Sequence, residues 1–127
     1  VESNIHAASD STLLWDAVRV LTRLITRSRD DFGLKVTGFS NHTRRAKRRM
    51  LAAMNAKNKD QRKAAYVDLL NISDKVLGYT RQAIETIKET CVDPTMFPLF
   101  GDMAHYADLM ERVISQTRRR VLLGQSG

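Results

Sequence analysis

The sequence predicts an all-α protein, an antiparallel bundle of about four amphipathic helices with a short extended N-terminal segment. Three observations carry this. Apolar residues recur at helical spacing in four separate stretches. Only two prolines, Pro94 and Pro98, interrupt the chain, and four of its six glycines (Gly33, Gly38, Gly124, Gly127) lie outside the periodic stretches. Many short strands would need more turn residues than that. Finally, 43% apolar and 28% charged residues over 127 positions suit one modest soluble core.

Residues 1–8 are mixed in character and read as extended. Ser9, Asp10 and Ser11 then offer side-chain oxygens for the free N–H groups of a first helical turn. The first helix is expected from Thr12 to about Phe32, with Leu14, Ala17, Val18, Leu21, Leu24 and Ile25 on one stripe and Gly33 as its stop. Lys35 to Asn41 reads as a linker. The second helix starts at Asn41 or His42 and ends near Ala56; Ala46, Met50, Ala53 and Met54 form its apolar stripe. Asp60 can cap the third and longest helix, about Gln61 to Thr90. Its stripe (Tyr66, Leu69, Leu70, Ser73, Val76, Leu77, Thr80, Ala83, Ile84, Ile87) is nearly heptad, with Gly78 as a small interior contact. Cys91 to Pro98 forms a loop. The last helix, about Leu99 to Leu122, carries Met103, Tyr106, Ala107, Met110, Val113, Ile114, Thr117 and Val121 on one side. The bundle thus occupies residues 9–123, and residues 124–127 form a flexible end. Short links imply antiparallel neighbours, and the last two helices are long enough to pair like a coiled coil.

Charge is unevenly spread. From Ser40 to Ala65 there are nine basic residues against one acid, Asp60, so this region holds +8 and the rest of the chain −1, for +7 overall. The run Arg44, Arg45, Lys47, Arg48 and Arg49, followed by Lys57, Arg62 and Lys63, is the candidate DNA-binding surface. Clustered guanidinium and ammonium groups displace counterions from phosphates, and arginine matches phosphate geometry. No aromatic residues interleave with these cations and no base-reading motif is present, so contact with the phosphate backbone is expected rather than base recognition. Arg118, Arg119 and Arg120 fall in a last helical turn, where they complement the helix dipole.

Other chemistry is poorly provided for. No apolar run approaches the roughly 18 residues of a membrane span and no secretory signal opens the chain. The one cysteine, Cys91, cannot form an internal disulfide, which suits the cytoplasm, and it lacks an activating partner. His6, His42 and His105 lie in different elements, without Cys or carboxylates at metal-ligand spacing. Asp10 reads as a cap, Asp16 as an exposed early-helix acid, and Asp30 and Asp31 as a solvated pair. Trp15, Tyr66 and Tyr106 read as core anchors. No catalytic constellation, resident metal or small-molecule site is expected.

The run Val1-Glu-Ser-Asn-Ile-His6, with Ser9-Asp-Ser-Thr-Leu-Leu-Trp-Asp16 and Val18-Arg-Val-Leu21, resembles a stretch of the insertion-sequence DDE transposases of bacteria. There a strand bearing the first catalytic aspartate is followed by a similar pattern and then by a helical insertion. The end of that insertion is similar to Gln116-Thr-Arg-Arg-Arg-Val-Leu122, and its middle to the basic run and to Tyr66-Val-Asp-Leu-Leu70. The resemblance implies a helical insertion domain cut from such an enzyme, starting just after the catalytic aspartate. The parent would hold Mg²⁺ with three acids, none mapping onto this chain, and would transfer DNA strands by a two-metal mechanism. The domain itself would be catalytically inert and would support DNA binding or assembly. Glu2, Asn4 or His6 could lie behind the metal-holding residues. The alternative is a structural or homodimerising bundle without DNA contact, seamed by its two long helices.

Overall fold

An amphipathic helix of any length must cover its apolar stripe, and here four helices cover one another. The computed structural model describes the backbone of residues 2–90 and 93–122, and the side chains of residues 10–90 and 93–122. Helix α1 spans Glu2–Phe32, α2 Thr43–Met54, α3 Lys59–Thr90 and α4 Phe97–Thr117. A 3₁₀ turn, Pro94–Met96, leads into α4, and a π-turn, Arg118–Leu122, ends it. Cross-links give the directions. Trp15 of α1 meets Lys47 of α2, and Asp68 of α3 meets Arg45 and Arg49 of α2. Arg81 and Asp74 of α3 pair with Glu111 of α4 and Arg118 of the π-turn. Arg120 returns to Asp10 of α1. The chain therefore runs up, down, up and down. α1 and α3 meet across the diagonal, and α2 and α4 share no contact among the described residues.

The expected stripes form the interior. Leu14, Ala17, Val18, Leu21, Leu24 and Ile25 of α1 are buried against Leu69, Leu70, Val76, Leu77, Ala83 and Ile87 of α3 and Met103, Met110, Val113 and Ile114 of α4. Each of the leucine, isoleucine, valine and methionine side chains contributes about 1.5–3 kcal/mol by leaving water. Three buried hydroxyls are satisfied within their own helices: Ser28, Ser73 and Thr80 donate to the carbonyls of Leu24, Leu69 and Val76 at 2.8–2.9 Å, whereas the buried hydroxyls of Thr22 and Thr117 have no hydrogen-bond partner among the described residues. The α2 attachment is thinner, resting on Ala46, Met50 and Ala53. Met54 leaves the expected stripe and is half exposed, because the helix ends there and turns its side chain off the core.

α1 stops where Gly33 takes φ +72° and its N–H reaches the Arg29 carbonyl at 3.0 Å. A β-carbon at Gly33 would meet nothing within 4 Å, so the penalty for a side chain there is purely conformational. Gly33→Ala should lower stability by about 1 kcal/mol in chemical denaturation; an unchanged midpoint would contradict the capping account. The linker from residue 35 to 41 turns at Gly38 and lies on α3, with Phe39 edge-on to Tyr79 and the Thr37 N–H donating to Gln82.

Several expectations are corrected. Residues 2–8 are helical rather than extended: among the described residues there is no strand to pair with, and extending the packed helix costs less than starting one. For the same reason Asp10 does not cap a helix; it lies inside α1. Asn58, not Asp60, caps α3, its Oδ1 accepting the Gln61 N–H at 2.9 Å while Gln61 Oε1 accepts from the Lys57 N–H. Gly78 faces open space, not a helix contact. Val1, Cys91, the terminal residues 124–127 and the side chains of Glu2, Asn4, His6 and Ser9 lie outside the described residues. No described helix is long and apolar enough to cross a membrane.

Candidate nucleic-acid interface

α2 divides its five cations by where the neighbouring helices lie. Ala46, Met50 and Ala53 face the core. Arg45 and Arg49, one turn apart, point along α3 and converge on Asp68: Arg45 Nη2 donates to Oδ1 at 2.7 Å and Arg49 Nε donates to Oδ2. Lys47 points along α1 and lies over the Trp15 ring, 5.9 Å from its centroid; Arg19 lies over the same ring at 5.6 Å. Arg44 and Arg48, also one turn apart, occupy the ridge opposite the core. Both are exposed, and neither has a carboxylate partner among the described residues.

The remaining predicted cations cluster where α2 ends and α3 begins. Lys57, Arg62 and Lys63 are exposed there, together with Lys59. The π-turn arrives at the same end, where Val121 packs on Ala53, Ala65 and Tyr66. Within it, Arg118 pairs with Asp74 and Arg120 with Asp10, so two of its three arginines have specific partners beyond a helix dipole. The eight predicted residues thus form two adjoining sets, the α2 ridge and the α2–α3 corner. Arg45 and Arg49 differ from the others in being ion-paired within the chain.

Electrostatics agree with that division. Desolvation pushes the Asp68 carboxyl up, but the hydrogen bonds and charges of Arg49 and Arg45 outweigh it and hold the group below 3.8, ionised and clasped. Burial raises the Tyr66 hydroxyl above its usual 10.0, opposed by a hydrogen bond with Ser11. His42, at the start of α2, stacks on Tyr79 with its Nε2 3.2 Å from the phenol oxygen. Burial holds its pKa below 6.5, and the charges of Lys75 and Arg45 act in the same direction. On acidification the unfolded chain takes up this proton first. The stability due to neutral His42 is therefore complete above about pH 6.5 and is lost as pH falls through the folded value. The melting temperature should drop more between about pH 7 and about pH 5 in the native sequence than in His42→Gln, as followed by circular dichroism; equal drops would refute this role.

Sequence reasoning misses the acids that organise these cations: it does not single out Asp68, and it reads Asp10 as a cap. Trp15, expected as a core anchor, is half-buried beneath two cations. Tyr66 is buried as expected, and Tyr106 is half-buried edge-on to His105. Among the described residues no three of His, Cys, Asp and Glu gather closely enough to hold a metal ion. His42 and His105 lie on separate helix faces, each against a tyrosine. A cleft of about 640 Å³ beside Asp31, Lys35, Thr86 and Asp93 opens at the opposite end of the bundle from the α2–α3 corner.

Compared with protein-family models, curated proteins and solved structures, the chain has no significant match.

Proposed function

We propose that this chain is a helical insertion domain of a DNA transposase, inert on its own, whose basic α2 face contacts the phosphate backbone of DNA. The observation that carries the reading is the Arg44–Arg48 ridge: two exposed guanidiniums, one turn apart, unpaired among the described residues. Neutral intrachain pairing would have spent such charges; unspent, they are available to phosphates. The sequence resemblance supplies the enzyme class.

Strand transfer belongs, on this reading, to acids of the parent enzyme that would hold Mg²⁺. Titrating the protein into a short labelled duplex over a salt series tests the proposal. Binding should be firm at low salt, fall steeply as salt rises, and vary little with base sequence. Absence of binding at low salt would refute it.

The alternative of a homodimerising bundle drew on the long stripes of the last two helices. Those stripes are buried against α1 and each other within one chain, so the DNA reading is preferred.

A further inference from the structure

We infer that Arg45 and Arg49 form a phosphodiester-binding pincer that Asp68 fills from within the chain, so that DNA engages it by exchanging one oxyanion for another. The inference rests on the reading that α2 meets DNA, and adds a site and its regulation to it. Two guanidiniums from successive turns of α2 converge on a single carboxylate, one through Nη2 and the other through Nε. This is the donor geometry that also grips two oxygens of a phosphate. The pincer borders the Arg44–Arg48 ridge on the same short helix, and both arginines remain nearly half exposed, at 45% and 47% of their side-chain surface. Asp68 is the less accessible partner, at 23%, and comes from α3. It thus stays with the bundle while the arginines are free to turn outward toward a ligand.

Such an arrangement makes Asp68 an internal competitor. While it holds the pincer, two of the five α2 cations contribute little to DNA affinity. When a backbone phosphate replaces it, two contacts are added and the carboxylate is released to solvent beside α3.

The test compares the native protein with Asp68→Asn in titrations of a labelled duplex over a salt series. Asp74→Asn, which adds the same formal charge but releases Arg118 on the α3–α4 side, serves as the control. Asp68→Asn should bind about tenfold more tightly at about 0.1 M salt, with the slope of log affinity on log salt close to the native one, because phosphate fills the pincer in both complexes. Asp74→Asn should gain much less affinity. Equal gains in both variants would reduce the effect to net charge and overturn the pincer, as would no gain in a folded Asp68→Asn. If the native protein and Asp68→Asn both fail to bind at low salt, the DNA reading itself falls. A second measurement needs no variant: the Arg49 Nε–H resonance of the native protein should shift on adding duplex. An unmoved signal in a bound complex overturns the pincer, and so does an equal shift with inorganic phosphate at matched ionic strength.

Discussion

Arg120→Ala should destabilise the bundle by about 3 kcal/mol at neutral pH, lowering its melting temperature by about 10 °C. The reason is the environment of its partner. The Asp10 side chain is 7% exposed, inside α1, and receives hydrogen bonds from Arg120 Nη1 at 3.0 and 3.2 Å and from Gln116 Nε2 at 3.0 Å. Removing Arg120 strands a charge out of water with one neutral donor. Removing Asp10 is different, because Arg120 is 40% exposed and can turn to solvent. Asp10→Ala should therefore cost about 1 kcal/mol, near the range of ordinary hydrogen bonds. Urea denaturation of the two variants checks the asymmetry, and equal losses would show that Asp10 is better hydrated than its position implies.

The second large effect is on DNA. Replacing Arg44 and Arg48 together by glutamate should weaken duplex binding about a hundredfold at about 0.1 M salt, since each lost phosphate contact forfeits close to tenfold there and the new acids repel the backbone. The fold should be unaffected. Both positions are exposed, lie opposite Ala46, Met50 and Ala53, and have no ion pair among the described residues to lose. Arg45 and Arg49 are poorer choices for such a test, because reversing them would also break the clasp on Asp68 that ties α2 to α3. Trp15 is the only tryptophan and lies under Lys47, so its fluorescence reports locally on this face during the same titration.

The helices were legible because burial imposes a period on the sequence. Leu14 through Ile25, Leu69 through Ile87 and Met103 through Thr117 are inside where their spacing put them, except that Ile84 and Tyr106 are half-buried at the edge of the core, and Gly33 ends α1 because that backbone angle favours glycine. The packing order depended on pairings that leave no local mark. Ser9-Asp10-Ser11 looks like a cap, and would act as one if the helix began there. Asp10 is instead accommodated inside the helix by Gln116 and Arg120, more than a hundred positions away. Asn58 and Asp60 carry equivalent capping oxygens, and only the placement of the first turn selects Asn58. The candidate site was legible as a set of cations but not in its division. Which arginines are free is decided by Asp68, 19 and 23 positions from the two it holds.

The most direct measurement of the central claim is the salt dependence of duplex binding by the native protein and by the Arg44→Glu, Arg48→Glu variant. If the α2 ridge contacts phosphates, the variant's slope of log affinity on log salt should be shallower by about 2, at roughly 0.9 per phosphate contact. Identical slopes in the two folded proteins would contradict the account, because the ridge would then touch no phosphate.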